Sequence, residues 1–438
     1  MDQFNYRNGE LFCESVPVAR IAEAVGTPTF IYSAATFRDH YTRLAAAFAE
    51  LDPIICYSVK SCGNLHILRL LAELGAGMDV VSGGELFRAS RAGFSRSGPY
   101  DPGKIVFAGV GKTDAEINEA IDAGIGWFNI ESEAELANLI RIARERDMGG
   151  RKGEAPVRAA LRVNPDVDPK THRHTATGKR ESKFGVDLER ARSVFAEFGR
   201  NSLVRLTGFH LHIGSPVMNL DAYVEAITKT LALIADLRQD GFTIDTLDIG
   251  GGFRADYEGP GSPSYADYAA KIVPLLHGQG LRIILEPGRT ISANAGILLA
   301  RTTFVKHSGD KEFVIVDGSM TELIRPALYD AYHFVWPARP GVGFVPDPRG
   351  KDIRFPGTKL VDVVGPVCES GDFLAKERAL PPIKRGDLIA VFTAGAYGFV
   401  MASHYNARPN AAEVLVDGET FRVIRRRENY ADLVAAEE

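Results

Sequence analysis

The feature that most constrains this chain is an alternation. From about residue 54 to residue 287, short apolar runs and longer amphipathic stretches take turns. The runs are "IICYSVK" (54–60), "GMDVVS" (77–82), "IVFAGV" (105–110), "WFNIES" (127–132), "RAALRV" (158–163), "LTGFHLHI" (206–213), "LDIGGG" (247–252) and "RIILEP" (282–287). Between them lie helical patterns such as "NLHILRLLAELG", "TDAEINEAIDAG" and "DAYVEAITKTLALIADLRQDG", which stop at glycine as helix C-termini do. Eight β-then-α units in this span fit a closed (β/α)8 barrel of the TIM type better than an open sheet. No glycine-rich dinucleotide fingerprint follows the first run, which weakens a Rossmann arrangement.

Beyond about residue 300 the texture changes. "FVIVDGSM", "KLVDVVGPV", "DLIAVF" and "AEVLVDGETFRVIRR" are β-branched runs broken by Gly, Pro and Asp, the pattern of antiparallel strands and hairpins. The overall class is therefore α/β with a second, C-terminal antiparallel β domain. Residues 338–360, rich in Gly, Pro and charge, read as an exposed excursion within it.

A length of 438 residues agrees with two domains. The net charge of −5 offers no basic surface for nucleic acid or anionic lipid. No run of eighteen apolar residues spans a membrane, and "MDQFNYRNGE" lacks a signal-peptide pattern. Cys13, Cys56, Cys62 and Cys368 are too scattered for a disulfide framework or a structural zinc site. The expectation is a cytoplasmic enzyme with free thiols and no metal.

In such a barrel, functional groups gather at the C-terminal ends of the strands. Lys60 ends the first run, Asp79 lies in the second, Arg162 is near the end of the fifth and His212 near the end of the sixth. Gly250, Gly251 and Gly252 end the seventh, and Glu286 ends the eighth. Each has a bland reading: Lys60 as a solvated strand end, Arg162 as the partner of a barrel carboxylate, His210 as a core imidazole. The triple glycine removes every Cβ where a ligand or backbone must come close. With "EPGRT" it marks the loops that form the usual barrel phosphate site. A phosphate, a lysine and a carboxylate at one mouth suggest pyridoxal phosphate: the lysine joins the aldehyde and the carboxylate keeps the pyridine nitrogen protonated.

The longer blocks carry a resemblance. "YSVKSCGN", "GAGMDVVSGGELFRASRAG", "KTHRHTATGKRESKFGV", "HLHIGS", "DIGGGF", "EPGRTISANAG", "DGSMTELIRPALYDAYH", "GPVCESGDFLAKER" and "AGAYGFVMASHYNARPNAAEVLV" together resemble the diaminopimelate decarboxylase family. That family belongs to the fold-type III pyridoxal-phosphate decarboxylases, alongside ornithine and arginine decarboxylases. The likeness runs from about residue 17 to the C-terminus. It implies an alanine racemase-like fold, with a cofactor-binding barrel over residues 30–295 and a β domain from residues 1–29 and 296–438. It further implies conversion of meso-2,6-diaminopimelate to L-lysine and carbon dioxide in lysine biosynthesis, by a homodimer whose subunits complete each other's sites.

By resemblance, Lys60 is the lysine that joins the cofactor and His212 stacks on its ring. Asp79, Arg162, Ser215, Gly251, Gly252, Glu286, Gly288, Arg289 and Tyr397 fall to cofactor binding, with Glu286 facing the ring nitrogen. Arg289, Arg325, Tyr329, Glu369 and Tyr397 fall to the substrate. Cys368, beside Glu369 in "CES", is implied as a proton donor reaching the partner subunit's site. Two departures stand out. Ser61 and Cys62 follow the lysine where the family usually has alanine and asparagine, and the 338–360 excursion is longer than usual. Among rivals, "LIRPALYDAYH" opposes ornithine or arginine as substrate, because its arginine answers to a distal carboxylate. Glu286 opposes an amino-acid racemase, which sets an arginine against the ring nitrogen. The β domain opposes a non-catalytic cofactor carrier built from a barrel alone.

Overall fold

A computed structural model describes residues 2–148, 155–167 and 183–438. Most of "KTHRHTATGKRESKFGV" lies outside the described residues. The chain divides into two compact units. One holds residues 41–254 and 262–290; the other holds residues 1–40, 255–261 and 291–438.

The first unit is the barrel. Its strands are β1 (Ile54–Ser58), β2 (Gly77–Val80), β3 (Ile105–Phe107), β4 (Trp127–Ile130), β5 (Val157–Asn164), β6 (Val204–His210), β7 (Thr246–Asp248) and β8 (Arg282–Leu285). Each pairs in parallel with the next, and β8 pairs with β1 to close the ring. All eight apolar runs are strands. Their buried, β-branched character comes from being covered on both faces. Every ladder but one stops earlier than its run: "IICYSVK" pairs only to Ser58, and Val59–Ser61 turn as one 3-10 helix. The exception is β5, which runs one residue further at each end.

Helices start on side-chain caps. Asn64, Ser82, Thr113 and Ser132 each accept a backbone N–H two or three residues on, replacing bonds that a first turn cannot make for itself. Gly124 and Gly241, at φ 75° and 83°, follow helix ends in the left-handed region that glycine tolerates best.

The other unit carries a nine-stranded sheet in the order 373–380, 359–364, 311–316, 296–308, 29–33, 412–417, 420–425, with strands 388–391 and 335–337 branching from 296–308. It is mostly antiparallel, as its hairpin signals suggest. Two ladders are parallel, however: 311–316 with 359–364, and 412–417 with 29–33. Both join segments distant in sequence, so no hairpin turn announces them. The 338–360 excursion is exposed at Val342, yet Phe344 and Phe355 pack together and Phe355 meets Trp336. Arg349, mostly buried, pairs with Asp2.

Candidate active site

Lys60 leaves the end of β1 on the 3-10 turn and pairs with Asp79 of β2. The lysine side chain is 35% exposed and the aspartate wholly buried, so the ammonium sits at the edge of the interior with its counter-charge inside. Ser58 donates to the same Asp79 oxygen at 2.7 Å. Burial, reinforced by the charge of Glu286, raises the Asp79 carboxyl above its usual range, while Lys60 pulls the other way. Ser61 is small because Gly288 sits against it: a Cβ on Gly288 would lie 3.1 Å from the Ser61 Cβ. The Ser61 hydroxyl is 2.8 Å from Ser58 O, and Cys62 is buried below. This departure is thus absorbed in packing beneath the lysine.

Glu286, just past β8, is buried among polar partners. Asn129 of β4 donates to it at 3.0 Å, and His210 at the end of β6 lies 3.2 Å away. Burial works against its ionisation, but His210 and Lys60 outweigh it and hold the carboxyl below the usual range. His212, two residues past the β6 ladder, has its Nδ1 3.4 Å from Gly251 N. Burial and the Arg162 guanidinium push its pKa down to about 3, so the ring is neutral. Arg162 itself pairs with buried Glu131 at 2.7 Å and reaches His212 O at 3.4 Å. The bland reading of Arg162, a barrel carboxylate pair, is thus what the geometry contains, with a second contact to the histidine segment.

The triple glycine is shaped by backbone. A Cβ on Gly250, Gly251 or Gly252 would meet Leu211 O at 2.3 Å, Glu286 O at 2.2 Å or Gly214 O at 2.5 Å. The segments after β6 and β8 therefore both close on this loop, and only glycine fits. Beside it, Arg289 Nε donates to Ser215 Oγ at 3.1 Å. Lys60, Asp79, Arg162, His212, Ser215, Gly251, Gly252, Glu286, Gly288 and Arg289 are thus all carried by the C-terminal ends of barrel strands or the loops after them.

The remaining expected residues belong to the other unit. Arg325 is buried, 5.1 Å over the Tyr257 ring and 3.3 Å from His333 Nε2. Tyr257 and Tyr397 pack on one cluster of Ala255, Ala293 and Ala396. Tyr397 adopts φ 54°, rare outside glycine, which marks a constrained turn. Tyr329 is half-buried at the end of the Arg325–Tyr329 helix. Cys368 and Glu369 sit on a separate exposed turn, tied by Cys368 N to Asn406 Oδ1 at 2.8 Å and by Tyr405 to Glu369 at 3.3 Å.

A model of the pyridoxal-binding domain of pyridoxal-dependent decarboxylases matches residues 34–293. Diaminopimelate decarboxylase of Pseudomonas aeruginosa is 45% identical over 100% of this chain and 99% of its own length. The chain belongs to the diaminopimelate decarboxylase family. The Aquifex aeolicus member is 44% identical over 98% of this chain and 96% of its own. Among solved structures, the Helicobacter pylori decarboxylase complexed with L-lysine superposes with a TM-score of 0.86 at 35% identity, covering 96% of this chain and 99% of that one. The diaminopimelate decarboxylase from M. jannaschii, also with L-lysine, gives 0.88 at 32% identity, covering 100% and 98%.

Members of this decarboxylase family use pyridoxal 5'-phosphate, and the residues present fit it. Lys60 supplies an amine at the edge of the interior, Glu286 an ionised carboxylate, and the glycine loop a close-set backbone. Among the described residues, Asp79 Oδ1, Asn129 Oδ1 and His210 Nδ1 are buried with no hydrogen-bond partner, as expected of a polar core built around more than its own contacts. Sequence reasoning passed over Asn129, Asp248, Glu131 and Glu85. Glu85 accepts from Val81 N at 2.9 Å, and burial pushes its carboxyl up to about 7 against the pull of Lys60. The available signal was a lone polar residue inside or just beyond an otherwise apolar run.

Proposed function

We propose that this chain removes the α-carboxylate of meso-2,6-diaminopimelate, forming L-lysine and carbon dioxide with pyridoxal phosphate as cofactor. The observation that carries the reading is the Lys60–Asp79 pair within electrostatic reach of an ionised, buried Glu286 in a chain of this family. The cofactor supplies the electron sink that lets the carbon–carbon bond break. Lys60 would hold it covalently and would move protons at its own nitrogen when substrate enters and product leaves. Asp79 fixes that nitrogen's position, and Glu286 would hold the proton on the cofactor's ring nitrogen. His212 offers a neutral face, which can stack without adding positive charge. Ser215, Gly251, Gly252, Gly288 and Arg289 bind the phosphate side, with Arg162 bracing His212 from behind.

Arg289 and Arg325 suit the distal carboxylate of the substrate and Glu369 its distal ammonium, with Tyr329 and Tyr397 alongside. Cys368 would protonate the carbon left by carbon dioxide, acting in the partner subunit's site within a homodimer. Among the described residues no helix is long and apolar enough to cross a membrane. Four thiols without a disulfide suit a reducing cytoplasm.

The test is release of carbon dioxide by the purified protein from diaminopimelate, ornithine, arginine and lysine in parallel, with L-lysine identified as product. Borohydride treatment should fix the cofactor on Lys60, and Lys60→Ala should lose both label and turnover. Label on another lysine, or a preference for ornithine, would overturn the reading.

A further inference from the structure

Glu286 is held by groups from three different strands. Asn129 Nδ2 of β4 lies 3.0 Å from Glu286 Oε1 and 3.1 Å from Asp248 Oδ2 of β7. His210 Nε2 of β6 lies 3.2 Å from Glu286 Oε2. Because an ionised carboxylate only accepts, that nitrogen carries its proton. Asp248 Oδ1 accepts from Gly250 N at 2.8 Å. Asn129 and Asp248 have no exposure, and His210 has 1%.

The charges in this core do not balance if every carboxyl is ionised. Asp79 has Lys60 and the Ser58 hydroxyl, and Glu286 has His210. Among the described residues, Asp248 accepts from an amide and a backbone N–H, and its carboxyl lies within 4.8 Å of both Glu286 and His210, with the Cys56 thiol also nearby. Two fully buried carboxyls sharing one amide nitrogen do not both stay charged. Burial and the Glu286 charge raise Asp248 well above the carboxylate range, in keeping with this geometry. Among the described residues, Asn129 Oδ1 and His210 Nδ1 have no hydrogen-bond partner. An amide or imidazole present only for packing would satisfy both of its ends; these spend their donors on the carboxyls.

We propose that Asp248 is a resident neutral acid, and that its O–H, the Asn129 amide and His210 Nε2–H form a three-donor cradle that keeps Glu286 ionised and aimed. All three are positioning residues, since they act through Glu286. The proposal rests on the reading in which Glu286 meets the ring nitrogen, and it adds what holds that carboxylate in its working state.

Infrared spectra of holoenzyme labelled with 13C-aspartate test the first half. A protonated carboxylic acid band that shifts with the label should be present at neutral pH and vanish in Asp248→Asn. Its absence from the wild type, or its survival in Asp248→Asn, overturns the proposal. Should that variant not fold, the double variant Asp79→Asn with Asp372→Asn removes the other buried aspartates of raised proton affinity. The band should survive there, and its loss overturns the assignment. The second half is read from His210→Leu, which should lower kcat about tenfold to a hundredfold, the range for one charge-assisted hydrogen bond, with KM little changed. His210→Gln, whose amide reproduces the Nε2 donor, should recover most of it and restore the cofactor's absorption band. Equal loss in both variants overturns the cradle. Failure of the underlying reading looks different: Glu286→Gln would then leave turnover unchanged while the infrared band stayed in the wild type.

Discussion

Gly251→Ala is the smallest change that should disturb the site most. The added Cβ would stand 2.2 Å from Glu286 O, where ordinary contact begins at 3.4 Å, a shortfall of 1.2 Å. The obstacle is backbone, so no rotamer relieves it. The loops after β7 and β8 must part by about an ångström, stretching the 2.8 Å bond from Glu286 N to Gly250 O. Overpacking of this kind costs about 1–3 kcal/mol, which in a unit the size of the barrel (residues 41–254 and 262–290) lowers its Tm by about 2–12 °C. The functional cost is larger, because the displaced residue is Glu286. An error of about 1 Å in a positioned group can cost about a hundredfold in rate. Stopped-flow turnover and calorimetry at saturating pyridoxal phosphate would measure both. Gly111→Ala, in the same unit with no atom within 4 Å of its Cβ, is the control and should change neither. Wild-type turnover and Tm in Gly251→Ala would refute the close approach of the two loops.

Three further outcomes are expected. Glu131→Gln leaves Arg162 buried without its counter-charge, and a broken buried pair costs about 3–5 kcal/mol; urea unfolding should show the loss, and turnover should fall because Arg162 also reaches His212 O. His212 has a folded pKa of about 3 against 6.5 unfolded, so the fold favours the neutral ring. Stability from this group is complete above 6.5 and is lost as pH falls from 6.5 towards 3, at most about 2 kcal/mol by about pH 5; His212→Asn should flatten that part of the urea-midpoint profile. Mixing inactive Lys60→Ala and Cys368→Ala chains should restore about a quarter of wild-type activity if subunits exchange and share sites across a two-fold axis. No recovery after proven exchange would mean that Cys368 serves its own subunit.

The barrel was legible because parallel strands covered on both faces become unbroken apolar runs, and each run ends on a turn signal. Strand ends were less legible. "LTGFHLHI" continues in β-prone residues to Ile213, yet the strand ends at His210, and the last bond to β7 is that from Leu211 N to Asp248 O. Here the chain leaves the sheet to present His212, and local propensity carries no trace of that departure. Strand 29–33, at the centre of the other unit's sheet, went unread for a related reason. Its partners 296–308 and 412–417 lie hundreds of residues away, so nothing beside it in sequence marks the pairing.

The same contrast separates Lys60 from Asp248. A lysine at the end of an apolar run is conspicuous, and its bland reading was a solvated strand end. The structure distinguishes the two by the partner: a solvated lysine has no need of a wholly buried carboxylate, whereas Asp79 has no exposure and faces Lys60. Holding such a pair costs desolvation that an apolar pair of similar volume would avoid, so stability alone gives no reason for it. Asp248 is harder to see because one acid in "LDIGGG" resembles a strand's last residue drifting into solvent. What identifies it is an accounting rule rather than a motif. In a strand covered on both faces every polar side chain must find a partner inside the barrel, so Asn129 on β4 and Asp248 on β7 had to converge on something, and Glu286 after β8 is where they meet. A sequence shows which strands carry a polar residue; only the register of the closed ring shows that three of them point at the same carboxylate.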